Sequence, residues 1–435
     1  MELSGEQEND KTQIPEVFEP YCGLYPGIAS FTPEFDAGDY REWVSRSNGD
    51  PVPAPLMLVV QNAAQTDHAA HQEAPAHQLP WYSVVNREIQ LQGELFDTDR
   101  PLEGVVLAPG VTAGWTNDAL YELSTSIQNA FSVTPVAFTR WCACFGRSRP
   151  PLSRLQLLRV LGFSKVRLCL DFSSPGQVGE DLYGEIDRTE QLLNDIRNLG
   201  YRSLAIDLVL PAKPDEALVK RAEGLLEKTQ VECIRLMSAD RPDGALADGP
   251  QALFPAFLQS LGYRHIGLDW YVNESEPSLG KCGQLHWSPL GYTDIQSLDI
   301  IGVGPGAVSI LEDTCSQNAV RRENYQRIIR QNKIPTERGV ELESDDLLRR
   351  TVMSGILVDE HYNIEALENG WGIMFSRYFE SEVTALRALE AEGKLVLTEH
   401  EIHTLKRDRN TLTTLCRIFD NQDRIARVPP LSEAR

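Results

Sequence analysis

Between residues 56 and 271, short apolar runs rich in β-branched residues alternate with amphipathic stretches of helical period. This rhythm restricts the fold more than any other feature of the chain. It predicts strands at 56–60, 105–107, 136–139, 165–170, 203–208, 232–237 and 265–271. Helices are predicted between them at 81–95, 117–129, 152–161, 181–199, 216–229 and 252–261. Leu161-Gly162 and Leu199-Gly200 place a glycine just past a helix end, where the chain must enter the left-handed region. Strand–helix alternation builds parallel βαβ units, so the expected class is α/β.

Both flanks break the rhythm. Residues 1–54 form an acidic, proline-containing N-terminal arm with one short helix at 36–47. Residues 55–288 carry the alternating core, and 289–435 a mostly helical C-terminal domain, with helices at 345–357, 371–392 and 409–419 around a β-like turn at 394–397. Inside the core, 61–80 is rich in Ala, Gln and His and has neither helical nor strand period. Loops of that length in a compact domain are usually functional or disordered.

Composition excludes several classes. Among 435 residues 42% are apolar and 24% charged, the balance of a globular protein, and no run of about 18 apolar residues suggests a membrane span. The opening MELSGEQENDKTQ is polar and acidic, the reverse of a signal peptide, so a cytoplasmic location is expected. A net charge of −22 repels a phosphate backbone and argues against nucleic acid as a partner. Only nine of the 41 basic residues are lysine, so an anion site here would be a local arginine cluster. The eight cysteines form no CxxC or CxxxC pair. Cys142-Ala-Cys144 is the close one, and on a strand both thiols would share a face.

Motifs narrow the reading. The stretch 291–318, GYTDIQSLDIIGVGPGAVSILEDTCSQN, resembles a block of the oxygen-independent coproporphyrinogen III oxidases, radical-SAM enzymes of haem biosynthesis. The matching positions are Gly291, Tyr292, Thr293, Asp299, Gly302, Gly304, Ser309, Gln317 and Asn318. Tyr25-Pro26, Arg349-Arg350 and the terminal LTTLCRIFD fit the same pattern. The resemblance implies a partial (β/α) barrel of radical-SAM type carrying a helical C-terminal domain. It is strong over 262–419, fair over 162–211 and weak over 51–146.

The weak part is where the family keeps its cofactor chemistry. That family holds a [4Fe–4S] cluster on a Cys-x₃-Cys-x₂-Cys loop. Aligned on Pro55-Leu56-Met57-Leu58, the three cysteine positions carry Gln65, Ala69 and Gln72, and residues 61–80 contain no cysteine. The family's glycine-rich turn beside SAM becomes Pro109-Gly110-Val111-Thr112-Ala113. Cluster and SAM chemistry are therefore expected to be lost, with no catalytic residue and no resident cofactor assigned.

Other family positions survive. Asp207 and Asp269 fall in the family's SAM or substrate region, although aspartates at strand ends commonly cap the next helix or turn. Tyr292, Thr293 and Asp299 fall near the family's tetrapyrrole; of Arg349 and Arg350, one is expected to hold the domain interface by a carboxylate pair and the other to meet a propionate, Arg349 being the substrate-binding candidate. Arg349 and Arg350 are adjacent on one helix and cannot face the same way. His68, His71 and His77 could ligate a divalent metal or haem iron, against the plainer reading of a solvated loop. The leading expectation is a pseudoenzyme that binds a porphyrin or haem, or regulates porphyrin metabolism. The alternatives are a scaffold or partner subunit of an active paralogue, and an enzyme with replaced, metal-dependent chemistry.

Overall fold

The computed structural model describes residues 24–62, 80–135, 137–146, 149–172, 182–211, 216–229, 231–238, 253–273 and 285–420. Its frame is an open sheet built on the alternating core. Strands β1 (Leu56–Val60), β2 (Leu102–Leu107), β3 (Cys142–Phe145), β4 (Lys165–Asp171), β5 (Ser203–Leu210) and β6 (Cys233–Ser238) run side by side and parallel, in sequence order. Beyond β6 the antiparallel pair β7 (Tyr263–Gly267) and β8 (Trp270–Asn273) closes that edge. A short hairpin, β9 (His286–Ser288) with β10 (Gly291–Thr293), follows. The chain then returns to the other side of β1 with the parallel strand β11 (Asp299–Val303). Outside it lie the antiparallel strands β12 (Val308–Leu311), β13 (Thr314–Asn318) and β14 (Thr336–Glu341).

Burial follows the period of two expected of strands. On β4, Val166, Leu168 and Leu170 are buried while Lys165, Arg167, Cys169 and Asp171 are intermediate. The helix-facing side joins Leu56, Leu58, Val60, Leu168 and Ile206 with helix residues such as Ile89, Leu123 and Leu193 into the main core. Helices therefore cover one side, and the opposite, inner face packs in part on the C-terminal helices, Cys233 and Trp270 meeting Leu412 and Phe419 in a second core. Residues 344–420 form that second unit. The helices Ser344–Val358, Glu380–Ala391 and Arg409–Phe419 surround a three-stranded sheet of His361–Asn363, Leu395–Leu397 and Glu401–Thr404.

Several expected elements move. Residues 136–139 were expected as a strand, but Ala137–Arg140 is a 3₁₀ turn and the strand is Cys142–Phe145, whose partners on β2 and β4 fix it in the sheet. The expected strand 265–271 is a hairpin, because Gly267 at φ 132° and Leu268 at φ 50° reverse the chain. The expected helix 371–392 breaks into Phe375–Tyr378 and Glu380–Ala391, after Gly372 ends the preceding helix in a left-handed cap. Gly162 and Gly200 sit at φ 104° and 77°, the helix-ending conformation anticipated for them.

Candidate functional site

The strongest motif turns out to be a buried lock. Glu88, on the helix Trp81–Gly93, points into the sheet with no exposure. It accepts from the backbone N–H of Gly304 at 2.8 Å, from Asn318 Nδ2 at 2.7 Å and from the Tyr325 hydroxyl. Asn318 Nδ2 also donates to the carbonyls of Gly302 and Gly304. Burial raises the Glu88 carboxyl to about 7 despite these donors. Gly304 has φ 111°, and a Cβ there would lie 2.0 Å from the Gln61 carbonyl oxygen. Gln61 N in turn donates to Val303 O. The lock thus fixes where β1 ends and where the chain leaves for residue 62.

At the other end of β11, Asp299 accepts from Arg100 at 2.8 Å, from Ser47 Oγ at 3.0 Å and from Glu312 N at 3.0 Å. Both ionic side chains are buried. Tyr292 is buried edge-on between Trp270 and Trp287 and donates to Leu357 O at 2.8 Å. Thr293 Oγ1 accepts from Ile295 N. Arg349 donates to Asp345, Glu382 and the Phe419 carbonyl inside the C-terminal unit. Arg350 turns away from it to the Glu312 carbonyl. Asp269, in the β7–β8 turn, pairs with Arg409 on the last helix of the C-terminal unit. Each of these expected ligand-binding groups, as placed here, makes an internal contact. His68, His71 and His77, with Gln65, Ala69 and Gln72, lie outside the described residues.

One expected residue sits in a different setting. Asp207 on β5 is gripped by two guanidinium groups on the inner face. Arg167 donates Nε and Nη2 to it at 2.7–3.0 Å, and Arg235 donates Nε at 2.9 Å and Nη2 at 3.1 Å. Burial alone would raise the carboxyl, but the two cations outweigh it and hold Asp207 below the usual carboxylate range. Both guanidiniums lie over the Trp270 ring, at 4.7 and 5.6 Å from its centroid. The register of β3, β4, β5 and β6 is the cause: Cys142 pairs with Lys165, Cys144 with Arg167, and Asp207 with Arg235.

Beside this cluster the Cys142 and Cys144 thiols are 4.0 Å apart. The hydrogen bond from Cys144 lowers Cys142, against its burial and with help from Lys165 and Arg167, and the same bond pushes Cys144 up. Arg167 and Arg235 thus bring two cations to one carboxylate, Asp207, on this face of a strongly acidic chain. Sequence reasoning passed over Arg167 and Arg235. The signal was present on β4, whose polar residues Lys165, Arg167, Cys169 and Asp171 recur at every second position.

Pro109-Gly110-Val111-Thr112-Ala113, the stretch that the resemblance sets against the family's glycine-rich turn, lies in the short helix Pro109–Gly114. It packs directly on the end of β1: a Cβ on Gly110 would meet Asn62 Cβ at 3.3 Å, and Asn62 Nδ2 lies 3.5 Å from Gly110 O.

Comparison with known proteins agrees with the frame. A protein from Synechocystis sp., named oxygen-independent coproporphyrinogen III oxidase, is 24% identical over 92% of both chains. One of the same name from Pseudomonas aeruginosa is 24% identical over 80% of this chain and 82% of its own. The chain is a relative of the oxygen-independent coproporphyrinogen III oxidases. Its fold is that of the Escherichia coli coproporphyrinogen III oxidase, described as a radical SAM enzyme. The two superpose with a TM-score of 0.77 at 22% identity, covering 93% of this chain and 97% of the other. No protein-family model matches. Among the described residues no helix is long and apolar enough to cross a membrane.

Proposed function

We propose that this relative binds a tetrapyrrole, a porphyrin or haem, on the inner face of its sheet, and does not carry out radical-SAM oxidation. The observation that carries the reading is the Arg167–Asp207–Arg235 cluster over Trp270, flanked by Lys165. A tetrapyrrole is a flat apolar plate edged with carboxylates. It calls for an aromatic wall and arginine forks, which hold carboxylates in a bidentate way. Here two arginines and an aromatic ring stand together in a strongly negative chain, with Asp207 holding the Nε and Nη2 groups that a ligand carboxylate would have to share or displace.

The donor set does not fit a [4Fe–4S] cluster, which is normally held by cysteine thiolates. Gln65, Ala69 and Gln72 supply none. Gly110, in the family's SAM turn, is packed against Asn62 instead of bordering open space. On this reading, retention of the whole frame supports a role as carrier, sensor or regulator. A scaffold for an active paralogue is the second reading, favoured by the same frame.

The test is an anaerobic absorbance titration with haem and with coproporphyrin III. A saturable Soret shift at micromolar protein, weakened about tenfold or more in Arg167→Ala and Arg235→Ala, is expected. Absence of a shift at tens of micromolar would remove the proposal and leave the scaffold role, to be pursued by co-purification of a partner.

A further inference from the structure

In the C-terminal unit, the small three-stranded sheet brings two histidines and two carboxylates together. His361 and His403 are directly paired on neighbouring antiparallel strands. Their rings stack at 4.0 Å between centroids, 19° from parallel. Glu360 precedes the first strand, and its carbonyl accepts from Thr404 N at 2.9 Å, which pins it beside His403. Glu360 Oε1 is 3.6 Å from His403 Nε2. On the other flank, Glu401 Oε2 is 3.3 Å from His361 Nδ1.

We propose that Glu360, His361 and His403 form a divalent metal site, for Zn²⁺ or a similar transition cation, with Glu401 orienting His361. One ligand atom from each of the three residues lies within 4.8 Å of the others. Tetrahedral zinc with bonds near 2.0–2.1 Å needs its nitrogen and oxygen ligands about 3.3 Å apart. The three groups are at least partly exposed, with side-chain exposures of 61%, 55% and 27%, so side-chain rotation suffices to close the difference. The backbone that carries them is a paired ladder and stays in place.

The Glu401 contact distinguishes this group from a chance surface cluster. A ligating histidine commonly gives its second ring N–H to a carboxylate, which fixes the tautomer and makes the ligating nitrogen more basic. The tautomer that donates Nδ1–H to Glu401 leaves the Nε2 lone pair of His361 for an ion. Imidazole with one carboxylate is a donor set suited to Zn²⁺ and its neighbours, and poor for Mg²⁺ or Ca²⁺, which prefer all-oxygen shells. Three protein ligands leave a fourth position for water or an anionic group. Glu360 also lines a 1260 Å³ cleft that runs past Trp287 and Met353, so the ion would stand at its rim. The net charge of −22 favours cation capture throughout.

The test uses the full chain, stripped by chelator dialysis, with Zn²⁺ titrated in competition with a chromophoric chelator. One ion per chain is expected. His361→Ala and His403→Ala should each weaken it by about tenfold or more, and Glu401→Gln by a smaller but measurable factor. Circular dichroism of each variant checks that the fold persists. A His68→Ala/His71→Ala/His77→Ala variant separates this site from the loop histidines and should bind as the parent does. Zinc lost in that variant but kept in His403→Ala, or no saturable binding in the parent, would overturn the proposal.

Discussion

Two regions meet at the C-terminal end of β1, and different things constrain them. Around Gly304 and Asn318, which sit against the end of β1, Glu88, Gly304 and Asn318 are buried and joined by hydrogen bonds, and a methyl group added at Gly304 would strike the Gln61 carbonyl. A few residues on, 61–80 contains no cysteine, and Pro109–Gly114 is a short helix packed against Asn62. The first region is constrained by packing, the second by whatever chemistry it serves. Likeness in the first is therefore a statement about the fold. Divergence in the second is the statement about function.

The largest effect should come from removing one half of the buried pair beneath the lock. Arg100→Ala leaves Asp299 buried without its cation, and should cost about 3–5 kcal/mol in urea unfolding. Gly304→Ala combines a left-handed φ with a backbone collision and should cost about 3 kcal/mol or more.

Acidity sharpens the same contrast. The Glu88 carboxyl is raised by burial from an ordinary 4.5 to about 7. The folded state then holds its proton more tightly than the unfolded chain. Its contribution is fully present below about pH 4.5 and is lost as pH rises towards 7. The loss is on the order of 3 kcal/mol, from about 1.4 kcal/mol per unit. Glu88→Gln should flatten that part of the stability–pH curve. An unchanged curve would remove Glu88 from the account.

Smaller effects belong to the divergent end. Gly110→Ala would place its methyl 3.3 Å from Asn62 Cβ and 3.4 Å from the Asn62 carbonyl oxygen, with no positive φ, so it should change stability by about 1 kcal/mol at most. A cost comparable to Gly304→Ala would show that this turn is still under the older constraint. Smallest in free energy is the thiol pair. Cys142 should alkylate faster than Cys144, and Cys144→Ala, which removes the donor to Cys142, should slow it. Equal rates for the two thiols would contradict the geometry.

Much of the frame was legible because strand–helix alternation and helix-ending glycines are local signals. The strand Cys142–Phe145 was missed because its place is set by register with β2 and β4 and not by its own composition. The hairpin at Gly267-Leu268 was hidden because Leu268 is an unusual residue at positive φ. The motif residues were read correctly as matches to a family, yet Asp299, Tyr292 and Arg349 make internal contacts whose partners lie 199, 65 and 33 residues away. Such pairings cannot be inferred from spacing along one chain. The Arg167–Asp207–Arg235 cluster could have been sought from the alternating polar residues of β4, but its closure depends on strand order.

The most direct test of the central contrast is anaerobic reconstitution with iron and sulfide, followed by assay for SAM cleavage. The account predicts iron near background and no cleavage, while the protein stays folded. About four irons per chain, with a reducible cluster that cleaves SAM, would contradict it.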